Sequence, residues 1–141
     1  MQRTKINSNR RVILWLDDDP NRAAITYQRW PSEKRDNTVW CSTAKDTIFV
    51  LRDYGPELLE VYLDHDLGGE SFVNSARDDC GMAVIRWLES LSKKDIKGFE
   101  GVTFICHSHN LRAGYKMVSR LKAIGLLSKQ IPFGEVELEY S

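Results

Sequence analysis

Cysteine is scarce in this chain: Cys41, Cys80 and Cys106 are the only three in 141 residues, and they lie far apart. An odd, scattered set builds neither a disulfide framework nor paired metal-ligand spacing, and it points to reduced thiols in the cytosol. A dominant charge is also missing, since 20 Lys and Arg stand against 20 Asp and Glu. A formal net charge of zero argues against holding double-stranded DNA by bulk electrostatics, while a local basic patch stays open. Long apolar runs are absent as well. Met1 to Arg11 is polar and basic, without the apolar stretch of a secretory leader, and no run approaches the length of a membrane span. A cytoplasmic protein with no membrane partner is the expectation. What the chain does have is 42% hydrophobic residues, enough for one ordinary domain with its own core and too many for intrinsic disorder.

Val12-Ile13-Leu14-Trp15-Leu16 is a short unbroken apolar run that stops at Asp17-Asp18-Asp19-Pro20, the pattern of a strand buried on both faces. Asn21 to Trp30 has helical composition and ends at Pro31, and Thr38 to Cys41 is a second strand. Ser42 or Thr43 is placed to cap a helix through Tyr54, with Ile48 and Leu51 inward and Gly55-Pro56 as the stop. Glu60 to Leu63 is a third strand, again running into acids, Asp64-His65-Asp66. After the polar segment Gly68 to Cys80, the stretch Gly81 to Leu91 sets Met82, Ile85, Trp87 and Leu88 at helical spacing. Val102 to Cys106 is a fourth strand ending in His107-Ser108-His109-Asn110, and Leu111 to Ile124 is a helix closed by Gly125. This alternation predicts an α/β domain with a parallel sheet. The tail Glu135 to Tyr140 alternates polar and apolar residues and reads as a half-exposed extra strand.

Open α/β sheets place their sites beyond the carboxyl ends of the strands. With strand order 2-1-3-4-5, the first, third and fourth strands are neighbours, so their polar clusters converge. Asp17, Asp18, Asp64 and Asp66 brought together repel one another unless a cation sits among them or some are protonated. An all-oxygen donor set suits Mg²⁺, with Mn²⁺ as the alternative. The plainer reading of Asp17 to Asp19 is a cap on the helix that Pro20 opens. Every histidine of the chain, His65, His107 and His109, falls in the same zone, where an imidazole can protonate a leaving oxygen or position a phosphate. Residues two apart on an extended chain share a side, which faces His107 with His109 and turns Ser108 opposite. Asn110 is a good N-cap; the free amides behind it favour phosphate, and Arg112 in the first turn is within reach of one. Lys116 and Arg120 read as a solvated face, and Gly68 to Cys80 as either a lid or a mobile surface loop. Trp15, Trp40 and Trp87 read as core or near-core residues rather than stacking platforms, and Cys106 as inert packing.

Val12 to Pro20 resembles the first strand and acidic pair of response-regulator receiver domains, Asp64 matches their phospho-accepting aspartate, and Ser108 matches the Ser or Thr that ends their fourth strand. The finer pattern is similar to a divergent branch, the cyclic-phosphate processing receiver-like domains of bacteria and their phages. That likeness lies in Leu63-Asp64-His65-Asp66-Leu67-Gly68, in Gly81 followed by Val84-Ile85-Arg86-Trp87-Leu88-Glu89, and in His107-Ser108 with Asn110, Gly114 and Met117. It covers Val12 to Ile124. The resemblance implies a three-layer, flavodoxin-like receiver fold around a five-stranded, mostly parallel sheet of order 2-1-3-4-5. The chain would then be a single domain over 1–141, with a polar arm at 1–11 and a strand-like tail at 135–141.

The implied chemistry is the binding or processing of cyclic nucleotides or of cyclic phosphate ends of RNA. Carried over residue by residue, the site is Asp17, Asp18, Asp64, His65, Asp66, His107, Ser108 and Asn110. In a metal-dependent phosphoesterase, Asp17, Asp18 and Asp64 would hold the cation, and His107 or His65 would act as general acid. Ser108, Asn110, Asp66 and Arg112 would hold the ligand, Ser108 and Asn110 as charge builds on it. Either a water or Asp64 itself would attack phosphorus. A receptor that holds a nucleotide without cleaving it, and a phospho-accepting receiver, are the alternatives. Two departures count against phosphorelay signalling. Ordinary receivers carry a Lys followed closely by Pro, whereas Lys129 here precedes Gln130-Ile131-Pro132, and a strand-like Val136 to Tyr140 replaces their fifth helix.

Overall fold

Apolar runs four to six residues long form the centre of the molecule. A computed structural model describes residues 10–70 and 72–131, so the strand expected over 135–140 lies outside the described residues. β1 (Val12–Leu16), β2 (Thr38–Cys41), β3 (Leu58–Leu63), β4 (Thr103–Cys106) and β5 (Leu127–Gln130) make one sheet in the order β2-β1-β3-β4-β5. Every pairing is parallel. The helices are α1 (Pro20–Arg29), α2 (Ser32–Asp36), α3 (Ala44–Tyr54), α4 (Gly81–Glu89), α5 (Lys93–Lys97) and α6 (Leu111–Ala123). This is the flavodoxin-like receiver architecture. No helix among the described residues is long and apolar enough to cross a membrane.

Strand alternation divides the interior in two. Leu14 and Leu16 of β1, Val61 and Leu63 of β3, and Phe104 and Cys106 of β4 join a mainly aliphatic core with Leu51, Met82, Ile85, Leu88, Met117 and Leu121. Ile13, Trp15, Tyr62 and Ile105 face the other way and pack with Trp30, which follows α1. Trp15 meets Trp30 edge-on with centroids 5.5 Å apart and lies 5.3 Å from Tyr62. Offset and edge contacts suit the ring quadrupoles, and truncating one such buried ring to alanine costs roughly 3–5 kcal/mol. Lys34 of α2 closes this side: its Nζ lies 4.1 Å over the Trp30 ring and 3.0 Å from the Tyr62 hydroxyl.

Several elements differ from the sequence reading. β5, Leu127-Ser128-Lys129-Gln130, has no apolar run to mark it because it is an edge strand with Leu127 exposed. The short helices α2 and α5 are too brief to show a period. α4 ends at Glu89, and Ser92 then caps α5 by accepting from the Asp95 amide at 3.2 Å. Arg10, within the expected arm, is buried, and its guanidinium donates to the carbonyls of Gly55, Leu58 and Gly98 at 2.9–3.0 Å. It fastens the start of β1 to the base of β3 and to the turn after α5.

Candidate functional site

Asp17 stands two residues beyond Trp15 and Asp64 two beyond Tyr62, so both continue the aromatic side of the sheet past its carboxyl edge. Carboxylate oxygens of Asp17, Asp18 and Asp64 all lie within 4.8 Å of one another, and Asp17 and Asp64 are buried. Three converging oxygen donors at this spacing fit a hard divalent cation. Asp19 has a different task. It caps α1, accepting from the amides of Asn21 at 2.8 Å and Arg22 at 3.4 Å, with Pro20 at the first helical position. The capping reading therefore holds for the third acid of the run, while the first two turn toward the site.

Arg22, which sequence reasoning passed over, lies against the cluster. Its Nε donates to Asp17 Oδ2 and its Nη2 to Asp17 Oδ1, both at 2.7 Å, and Nη2 also reaches Asp64 Oδ2 at 3.3 Å. The fork-on-fork bond to Asp17, against the opposing pull of burial, raises the guanidinium's pKa above its already high value. Asp64 is pushed upward by burial and by the charge of Asp17, against the lowering effects of Arg22 and a Ser108 hydrogen bond. The sequence signal for Arg22 was available only as a basic residue four and five positions after acids, which on most helices is a solvated pair.

A pocket of about 300 Å³ opens over these groups, lined by Asp18, Arg22, Asp64, Asp66, Ser108 and His109 among others. Gly69 donates its amide to Asp18 and brings the loop after β3 to the rim. Asp66 organises that loop: its Oδ2 accepts from the Phe72 amide at 2.7 Å, and its Oδ1 from the Val73 amide at 3.0 Å. Burial would raise the Asp66 carboxyl, but the His65 hydrogen bond, these amides and Asn110 outweigh it and hold it below the usual range. Phe72 takes a left-handed φ of 54° and is 80% exposed. Arg86 donates to the carbonyls of Ser75 and Arg77, and Arg77 pairs with Glu70 and Asp79. The described part of the segment is thus tied down at many points.

The histidines separate. His107 is buried, stacked on Trp15 with centroids 4.3 Å apart, and its Nε2 donates to the Leu16 carbonyl at 3.0 Å. Its Nδ1 stands 3.8 Å from Asp17 Oδ2. Burial is the largest influence and holds its pKa down to about 4. His65 is buried on the opposite side, with Nδ1 2.7 Å from Asp66 Oδ1 and Nε2 2.9 Å from Ser75 Oγ. Neither ring lines the pocket; the exposed His109 does, together with Ser108. The expected pairing of His107 with His109 fails because β4 ends at Cys106 and the chain bends at His109, leaving His107 buried and His109 exposed. Asn110 caps α6, accepting from the Ala113 amide at 3.2 Å, and its Nδ2 lies 3.4 Å from Asp66 Oδ1. Arg112 is exposed and lies outside the pocket lining, and Arg120 pairs with Glu89.

Gly81 explains how β3 and α4 come so close. Its amide donates to the His65 carbonyl at 2.8 Å, and a Cβ there would stand 2.0 Å from the Asp64 carbonyl oxygen. Only a residue without a side chain allows that approach.

Fold and site together define a receiver-type domain. Among solved structures, the chain is similar to the signal receiver domain of a Luxo repressor protein from Vibrio parahaemolyticus, with 18% identity, a TM-score of 0.53, and coverage of 92% of this chain and 86% of that one. It is also similar to the CheX-CheY-BeF3-Mg complex from Borrelia burgdorferi, with 16% identity, a TM-score of 0.54, and coverage of 91% and 84%. Among curated proteins, none matches the chain significantly. The sequence pattern of the cyclic-phosphate processing receiver domain matches residues 12–123, and the chain belongs to that family.

Proposed function

We propose that this protein binds and hydrolyses a cyclic phosphate ester, such as a cyclic nucleotide, with a divalent cation at Asp17, Asp18 and Asp64. The observation that carries this reading is the three-carboxylate cluster, within 4.8 Å, on the strand ends of a chain that belongs to a cyclic-phosphate processing family. Mg²⁺, or Mn²⁺ in its place, would supply neutralisation of the phosphate charge and a more acidic water. Ser108 and the amides at the start of α6 would hold non-bridging oxygens as charge develops on them. Asp66 keeps Asn110, and so that helix start, in register with β3. Hydrolysis adds a hydroxyl to phosphorus and breaks the bond to the leaving oxygen, which takes a proton. His109 is the imidazole that lines the pocket and can give that proton. His65 would act through Asp66 as a positioning residue, while His107, stacked on Trp15 and bonded to the Leu16 carbonyl, would support the end of β1 from which Asp17 projects. The three buried free thiols suit a cytoplasmic setting.

The phospho-accepting alternative uses the same Asp64. Lys129 sits on β5 across from Ile105, exposed and outside the pocket lining, so Arg22 is the one permanently charged cation among the described lining residues. That arrangement favours a bound phosphate ester over a receiver's Lys-mediated switch. The test is chromatography of 2′,3′-cyclic nucleotides and cyclic oligonucleotides incubated with the protein and Mg²⁺, Mn²⁺ or a chelator. New products that vanish with chelator and in Asp64→Asn are the expected result. Intact ligand released only by denaturation would replace hydrolysis with sequestration. Ligands that stay free and intact, with acetyl phosphate modifying Asp64, would establish the phospho-acceptor instead.

A further inference from the structure

Arg22 makes the most extensive ionic contact in the pocket, and the proposed chemistry leaves it without a task. Its guanidinium covers both oxygens of Asp17 at 2.7 Å, reaches Asp64 at 3.3 Å and stands 4.0 Å from Asp18. These are the same three carboxylates that converge for a cation. A divalent ion ligated at roughly 2.1 Å by those oxygens would lie within a few ångströms of the guanidinium, where like charges repel strongly in a half-dry site. Displacement need not disturb the fold. Arg22 sits in the first turn of α1, whose cap is made by Asp19 and whose turn is started by Pro20, so rotation of the side chain is sufficient. The side chain is 22% exposed and already lines the pocket beside Ser108.

Charge bookkeeping indicates what the released group would do. With Arg22 as sole counter-cation, the three acids leave the pocket negative, which opposes entry of a phosphate. With a divalent ion among the acids and the guanidinium turned outward, the charge of Asp17, Asp18 and Asp64 is offset, Asp66 and Glu70 being already paired with His65 and Arg77, and the site offers a planar donor fork suited to phosphate oxygens. We propose that Arg22 is an internal counter-cation that a divalent ion displaces, and that the freed guanidinium then grips the ligand's phosphate, so that ion and phosphate strengthen each other's binding. This rests on the reading that Asp17, Asp18 and Asp64 hold a divalent ion; it does not depend on hydrolysis.

The experiment measures Mn²⁺ binding to the full chain by electron paramagnetic resonance, with and without inorganic phosphate, in the wild type, Arg22→Gln and Arg22→Lys. Without phosphate, Arg22→Gln should bind Mn²⁺ at least about tenfold more tightly than the wild type. Phosphate should tighten Mn²⁺ binding in the wild type, less in Arg22→Lys, and not in Arg22→Gln, because binding linkage is reciprocal. Unchanged or weaker Mn²⁺ binding by a folded Arg22→Gln overturns the proposal. Should that variant fail to fold, the wild type still decides. The Arg22 Nε–H proton, hydrogen-bonded to Asp17, should shift and exchange faster when Mg²⁺ saturates the protein, and an unchanged resonance at saturation overturns the proposal. No Mn²⁺ binding by any form would remove the cation site and the proposal with it. Linked ion and phosphate binding without cleavage of any cyclic phosphate would remove hydrolysis alone.

Discussion

His107 and His65 stand at the ends of neighbouring strands, both shielded from solvent, and their environments push them in opposite directions. His107 lies flat on Trp15 behind Asp17, where burial favours the neutral ring and holds its pKa down to about 4. His65 lies under the loop beside Asp66, Ser75 and Cys80. There burial pulls down, but contacts with Cys80 and Asp66 pull harder, and the pKa is raised. The same side chain thus takes two settings beside one site: a neutral ring packed on Trp15 and tied to the Leu16 carbonyl on the aromatic side, and a ring tending toward imidazolium against Asp66 on the loop side. Position at a strand end does not decide the role. The face of the sheet does.

The largest effect expected on this contrast comes from Gly81→Ala, which drives a methyl into the Asp64 carbonyl and the His65 backbone. Both contacts are backbone atoms that cannot swing aside, so a loss of roughly 3 kcal/mol or more in denaturant unfolding is expected. Next is the acid limb of His107 in the metal-free protein. Its folded pKa lies below the unfolded value near 6.5, so its contribution is full above pH 6.5 and is lost as pH falls toward about 4. On the order of 3 kcal/mol is at stake, and His107→Phe, which keeps a stacking ring, should flatten that limb of the stability–pH curve.

His65 carries the opposite sign. With a raised folded pKa, its contribution is present below the unfolded value near 6.5 and is lost as pH rises through the folded one. His65→Ala should cost about 1–3 kcal/mol at pH 6 and speed hydrogen exchange at the Phe72 and Val73 amides, which Asp66 accepts. Unchanged exchange would sink the link from His65 to the loop. The smallest effect belongs to Phe72→Gly. Glycine relieves the left-handed φ of 54° but adds freedom to the unfolded chain, so a thermal melt should show a gain of at most about 1 kcal/mol. A clear loss instead would mean that the exposed ring packs against something.

Much of the frame was legible because it rests on local patterns. The run Val12 to Leu16, the strands ending at Cys41, Leu63 and Cys106, the Thr43 cap and the Gly125 stop each show in a few consecutive residues. β5 did not show, since an edge strand over a helix needs little apolar side chain. In the candidate site, the meeting of Asp17, Asp18 and Asp64 followed from strand order. Arg22 did not, because a base one turn into a helix looks the same whether it faces water or three carboxylates.

The sequence by itself determined the parallel α/β layout, the acids at the ends of β1 and β3, and the motifs that define the family, because each is written in residues close together along the chain. Only the tertiary structure decided that Asp19 caps while Asp17 receives Arg22, and that His107 lies beneath Trp15 while His65 holds the loop. Alternation along a strand says which residues share a side. Which side meets the aromatic layer and which meets α4 depends on how the strands are paired and crossed over, and that is a property of the whole sheet.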